Sequence, residues 1–231
     1  MSQPVIEIEN VTFAWKQGPR VLDVPAFRMD AGERVFLRGP SGSGKSTLLG
    51  LIAGVLAPQS GEVRVMGQDM AALTPARRDR LRADHVGVIF QMFNLVPYLS
   101  VTGNVLLPLR FSAARRKAAG SDPEGEARRL LARLGLTDDA LLKRRVSDLS
   151  VGQQQRVAAA RALIGAPGLI IADEPTSALD ADARDRFIAL LSEEVANSQA
   201  SLLFVSHDAS LAPLFSRAVD LAAINRAGTP A

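Results

Sequence analysis

The stretch GPSGSGKS, residues 39–46, decides the fold. It satisfies the pattern G-x-x-x-x-G-K-[ST] and lies between a β-type run, RVFLR at 34–38, and a helix-type run, STLLGLIAGVL at 46–56, which is the context such a loop requires. Glycines 39, 42 and 44 let the backbone curl into a nest whose N–H groups converge on an anion, and the helix that follows adds the positive end of its dipole. The pattern therefore predicts a nucleotide-phosphate site built from Gly39, Pro40, Ser41, Gly42, Ser43, Gly44, Lys45, Ser46 and Thr47. Lys45 is expected to reach the β- and γ-phosphates, and the Ser46 hydroxyl to ligate Mg²⁺. The plain alternative is a Gly-rich turn. Lysine occurs only at 16, 45, 117 and 143, arginine supplying most of the positive charge, so Lys45 stands out.

Around this loop the first ninety residues carry β-type runs at 5–9, 34–38, 62–66 and 86–90, interrupted by a helix expected at about 45–56. From Gln91 to Leu149 the texture is helical, including PEGEARRLLARLG at 123–135. Alternation then resumes: helix 153–165, strand GLIIAD at 168–173, helix about 181–196, strand SLLFVS at 201–206, helix near 209–216 and a strand around 218–224. Apolar strands alternating with helices predict a parallel sheet covered on both faces.

Composition narrows the class. With 231 residues and 47% apolar content, the chain can bury a sizeable core. The absence of cysteine excludes disulfides and Cys-based metal sites. A net charge of +3 is a weak nucleic-acid signal. The clusters Arg77, Arg78, Arg80 and Arg82, then Arg115, Arg116 and Lys117, then Lys143, Arg144 and Arg145 read first as solvated helix faces and loop ends, with a polyanion or headgroup site as the alternative. MSQPVIEIEN has neither a basic n-region nor an apolar h-region, and no apolar run reaches about 18 residues, so a cytoplasmic location is expected.

GLIIADEP at 168–175 ends an apolar strand in two adjacent carboxylates. At the carboxyl end of a parallel strand both can approach the crevice where such sheets bind ligands. Asp173 is read as the Mg²⁺-organising carboxylate and Glu174 as the general base for an attacking water. Without the phosphate loop the pair would be a solvated strand end.

Between these two segments lies LSVGQQQR, 149–156. A phosphate loop, a DE-ending strand and this third segment together resemble the ATP-binding-cassette (ABC) ATPases, whose signature is usually LSGGQ. Leu149, Ser150, Gly152 and Gln153 match it, and Val151 replaces the first glycine. The resemblance implies that Ser150, Val151, Gly152 and Gln153 act in trans, capping the γ-phosphate held by the other subunit of a head-to-tail homodimer. A Ser side chain, Gly N–H groups and a helix dipole suit that task. Valine disfavours any positive φ that glycine would have allowed, so weaker capping is expected if the site requires one.

Other positions acquire roles through the same resemblance. Gln91 resembles the Q-loop glutamine that touches Mg²⁺ or water and links nucleotide to the membrane partner. SALD at 177–180 resembles the D-loop, with Ser177 and Asp180 at the dimer seam; taken alone, Asp180 would be a helix N-cap. His207, following SLLFVS, is expected to contact the γ-phosphate and position water beside Lys45 and Glu174. Trp15 lies where the family often has an aromatic stacking on adenine, with a plain core Trp as the alternative and Phe13 as core. His85 receives no role. AVDLAAINRAGTPA departs from the family by lacking an Asp-Gly hairpin.

The resemblance implies an α/β fold with a P-loop NTPase (RecA-like) core, an N-terminal antiparallel β subdomain and an inserted helical subdomain. One cassette would span 1–231, with core and β subdomain at about 1–90 and 150–231 and the helical subdomain at about 91–149. FQMFNLVPYLSVTGNVLLPL, 90–109, is similar to the LolD/MacB-type group. That implies an ATPase with ATP and Mg²⁺ as cofactors, peripheral on the cytoplasmic face of the inner membrane. It would drive an integral membrane permease of FtsX/MacB type, in export or mechanotransmission, with a groove after Gln91 receiving the permease. Two rivals remain. A soluble cassette ATPase acting on DNA or ribosomes lacks here the coiled-coil insert, zinc cysteines or second cassette of such members, and a metabolite kinase leaves LSVGQ, SALD and His207 unexplained.

Overall fold

The computed structural model describes residues 3–16 and 18–227. They form an α/β protein of two compact units, Met1–His85 with Ser201–Ala231, and Val86–Ala200. The first begins with β1 (Pro4–Ala14) and β2 (Arg20–Asp30), followed by β3 (Arg34–Arg38), α1 (Lys45–Ile52), β4 (Ser60–Val65), β5 (Gln68–Asp69) and α2 (Pro75–His85). An antiparallel sheet runs β2-β1-β4-β5. β2 was not visible as a strand because its alternation breaks: Leu22 and Val24 are buried on one parity, Phe27 and Met29 on the other. β1 changes parity at the same level, burying Ile6 and Ile8 before Asn10 (φ 51°) and Val11 and Phe13 after it. Pro25, at the break, is tolerated because β2 is an edge strand.

The second unit holds β6 (Val86–Ile89), α3 (Val101–Phe111), α4 (Ala113–Ala118), α5 (Pro123–Arg133), α6 (Asp139–Leu142), α7 (Val151–Leu163), β7 (Leu169–Asp173) and α8 (Ala181–Asn197). β6 and β7 pair in parallel, Val86 opposite Leu169. Helix starts follow side-chain chemistry closely. Ser100, Ser112, Asp122, Asp138, Ser150 and Asp180 each accept a backbone N–H of the turn they cap. α5 is tied to α8 by Glu194, which is buried and accepts from Arg133 Nε (2.8 Å) and Arg129 Nη1 (3.2 Å). Burial pushes this carboxyl up, but the hydrogen bonds and charges of Arg133 and Arg129 outweigh that and hold it below the ordinary range.

The chain then returns to the first unit with β8 (Ser201–Ser206), β9 (Arg217–Asp220) and α9 (Leu221–Ile224). β3 pairs in parallel with both β8 and β9. Every residue of β8 is buried, as expected of a strand covered on both faces, and Phe36, Phe204 and Phe215 pack together in its core.

Several expectations are corrected. Helix α1 stops at Ile52 rather than 56, since Gly54 takes φ 69° and breaks the run. The segment near 209–216 is a 3-10 turn over Ala209–Leu214 containing Pro213, not an α-helix. The final strand ends at Asp220, whose side chain accepts from the Ala222 N–H and starts α9. Arg115 is not a solvated arginine. It is 3% exposed and donates to the carbonyls of Ile164 (2.8 Å) and Ala162 (2.7 Å), which end α7.

Candidate functional site

In the first unit the phosphate loop joins β3 to α1. A Cβ on Gly39 would lie 2.7 Å from Ser43 Oγ, and one on Gly44, which takes φ 98°, would lie 2.9 Å from Leu22 Cδ2 and 3.2 Å from the Val21 carbonyl. Close approach fixes the first glycine and backbone handedness the last. Gly44 is also the N-cap of α1 and supplies no side-chain cap, which leaves the N–H groups of Ser46 and Thr47 without a side-chain partner among the described residues. Lys45 folds back over the loop, its Nζ donating to the carbonyls of Gly39 (2.6 Å) and Pro40 (3.0 Å). Ser46 is exposed, Thr47 is buried, and the Ser43 hydroxyl is buried without a partner among the described residues.

Trp15 is 53% exposed, its ring meeting the buried Phe13 edge-on at 5.2 Å between centroids. Burial therefore rules out the core-tryptophan alternative. His207 is exposed immediately after β8, and Asp208 behind it caps the following turn through the Ser210 N–H.

The second unit carries the remaining expected residues. Asp173 ends β7, half-buried, and Glu174 follows at 8% exposure with φ 46°. A left-handed conformation is uncommon for a residue with a Cβ and persists where the surroundings impose it. Here the turn is held by the Ser177 N–H donating to the Glu174 carbonyl (3.3 Å) and by Gln155 Nε2 donating to the Pro175 carbonyl (2.7 Å). Ser177 is exposed, and Asp180 caps α8 by accepting from the Ala183 N–H at 2.8 Å.

Gln155 comes from α7 and is the last of three consecutive glutamines with different partners. Gln153 completes a reciprocal capping box with Ser150, and Gln154 donates to the Leu149 carbonyl. Val151 is the first helical residue, 47% exposed and without positive φ. Glycine is thus not required there, and the expected backbone penalty for valine does not arise. The capping box uses the N–H groups of Ser150 and Gln153 and leaves those of Val151 and Gly152 without a partner among the described residues.

Gln91 is exposed in the turn after β6. Behind it Phe93 (φ 58°) and Asn94 (φ 49°) are both left-handed, and the buried Arg161 of α7 donates to both carbonyls, at 2.6 Å and 2.7 Å. Burial pushes the Arg161 guanidinium below its ordinary value. α7 thus carries Ser150 to Gln153 at its start, supports the Glu174 turn through Gln155 and braces the loop after Gln91 through Arg161. Neither Gln155 nor Arg161 belongs to a motif legible in the sequence. The available signal was their place on the buried face of an otherwise Ala-rich helix.

Comparison with known proteins adds the following. A family model described as ABC transporter matches residues 22–177. The lipoprotein-releasing system ATP-binding protein LolD of Anaeromyxobacter dehalogenans is 44% identical over 225 residues, covering 96% of this chain and 92% of that one. The macrolide export ATP-binding/permease protein MacB of Sodalis glossinidius is 40% identical over 96% of this chain, which spans 33% of MacB. Among solved structures, the dimeric post-hydrolysis state of the ATP-binding cassette MJ0796 bound to ADP and Pi superposes with a TM-score of 0.82 at 34% identity, covering 93% of each chain.

Proposed function

The chain belongs to the ABC transporter ATP-binding family, and on that premise we propose that it is the ATP-hydrolysing subunit of a LolD/MacB-type transporter, one cassette over residues 1–231 with its helical subdomain at about 91–149. The phosphate loop carries this reading: N–H groups without a side-chain cap, an exposed Ser46 hydroxyl and Lys45 laid over the loop form the donor set a nucleotide polyphosphate needs. The same residues suit Mg²⁺, which takes one or two protein oxygens and otherwise phosphates and water, so a hydroxyl and a single carboxylate suffice. Ser46 and Asp173, with Gln91, would hold the ion, which when bound neutralises charge on the β- and γ-phosphates.

Within this proposal Gly39 to Thr47 bind the phosphates, Trp15 offers its exposed ring to the base, and Lys45 stabilises charge developing on the transferred phosphoryl group. Glu174 accepts a proton from the attacking water, and His207 orients that water. Ser150, Val151, Gly152 and Gln153 cap the nucleotide of a second subunit, with Ser177 and Asp180 at the seam. The open N–H groups of Val151 and Gly152 support this, since a capped helix start that still presents two donors can receive an anion brought from elsewhere.

No described helix is long and apolar enough to cross a membrane, and the proposed partner is an integral permease at the cytoplasmic face of the inner membrane. Exposed Phe90, Met92, Tyr98 and Phe111 in the second unit support an apolar docking face. The test is Mg·ATP hydrolysis by the purified chain together with its co-purification with a membrane protein. Hydrolysis lost in Lys45→Ala and Glu174→Gln supports the reading. A phosphorylated small-molecule product, or salt-sensitive nucleic-acid binding, contradicts it.

A further inference from the structure

After β9 the chain folds α9 and returns as an extended segment through Asn225, 9% exposed. The Asn225 amide is fully used. Its Nδ2 donates to the carbonyls of Val21 (2.9 Å) and Ser43 (3.3 Å), and its Oδ1 accepts from the N–H groups of Asp23 (2.8 Å) and Ala227 (3.1 Å). The Arg226 N–H adds a bond to the Asp23 carbonyl at 2.8 Å. At the other end of the loop, the buried Leu221 has its Cβ 3.3 Å from where a Cβ on Gly39 would lie. The segment after β9 thus touches the phosphate loop at its first and fifth residues and ties it to β2.

We propose that Asn225 is a positioning residue for the phosphate loop. The peptide joining Ser43 to Gly44 is planar and trans, so its carbonyl and its N–H point in opposite directions. Anchoring the Ser43 carbonyl on Asn225 aims the Gly44 N–H away from Asn225, toward the side on which a phosphate is received. The two side chains of the same shape cannot do this. Aspartate sets carboxylate oxygens against two carbonyls, and leucine donates nothing. The anion concerned is the pyrophosphate portion shared by nucleoside di- and triphosphates, and the inference rests on the nucleotide-binding reading above.

The test is calorimetric titration of the full chain with Mg·ADP and Mg·ATP, comparing wild type, Asn225→Ala, Asn225→Asp and Ser216→Ala, with the urea midpoint of each variant measured alongside. Ser216 is the control. It makes a bond to the Arg34 carbonyl (2.7 Å) in the same C-terminal stretch but none to the loop. Both Asn225 variants should lose affinity for both nucleotides by about five- to tenfold, as expected for one misdirected donor, while Ser216→Ala binds as wild type does. Should alanine prevent folding, the isosteric aspartate decides. Asn225 variants that bind normally, or a Ser216 variant that loses affinity in step with its midpoint, would overturn the proposal. A wild-type chain that binds neither nucleotide defeats the nucleotide-binding reading instead.

Discussion

Two helix starts in this molecule are suited to anions, and they are built in opposite ways. α1 begins at a left-handed glycine with no side-chain cap, its lysine folded over the loop that precedes it. α7 begins at a serine whose hydroxyl and whose partner Gln153 close a capping box, leaving two N–H groups. The first leaves its opening N–H groups without a side-chain cap, for water or an arriving anion to take. The second is self-sufficient as a helix start and offers only part of a site. That difference is what the proposed in-trans role needs: α1 would hold a nucleotide, and α7 would meet one held by another chain.

The largest test of the comparison is Lys45→Ala, which removes the charge laid over the α1 loop; hydrolysis measured with saturating Mg·ATP should fall by about 10²–10³-fold, and an active variant would mean the loop is not the reactive cradle. Next comes Arg161→Met, which leaves the Phe93 and Asn94 carbonyls without their donors. Urea unfolding should show a loss of about 2–3 kcal/mol, and a neutral substitution would remove α7 as the brace of that loop.

Glu194→Gln should lower stability by about 1–2 kcal/mol at neutral pH, the flanking arginines being half exposed. Because the folded Glu194 carboxyl lies below its unfolded value, its contribution is complete above the ordinary carboxylate range. It fades as pH falls through the depressed folded value, so the gap between wild type and variant should close in acid. A gap that widens in acid would reverse the sign assigned here.

The smallest effects fall on α7 itself. Ser150→Ala, which opens the capping box, should lose about 1 kcal/mol in urea. Val151→Gly should lose about 0.5 kcal/mol or less, and it should leave ATP-dependent pairing of chains unchanged, since Val151 already has helical backbone. Stronger pairing in the glycine variant would show that the bound state demands a backbone the valine resists.

The elements around the loop were legible because they announce themselves locally. The runs at 34–38, 168–173 and 201–206 became β3, β7 and β8, and Asp180, a helix N-cap when read alone, caps α8. β2 was not, because two strands change parity together at Asn10 and Pro25, and a period-2 pattern cannot be read across such a break. The site showed the same division. Residues that would touch the nucleotide lie in contiguous motifs, whereas Gln155, Arg161 and Asn225 act on backbone carbonyls 20, 67 and 182 positions away. A side chain aimed at a distant carbonyl leaves no local pattern, and the buried Arg115 read as a surface charge for the same reason.

The most direct measurement is the solution mass of Glu174→Gln by light scattering after size exclusion, with and without Mg·ATP. One chain is expected without nucleotide and two with it, the shift disappearing when Ser150 is replaced by a bulky residue. A variant that binds Mg·ATP and keeps the mass of a single chain would contradict the claim that α7 completes a second subunit's site.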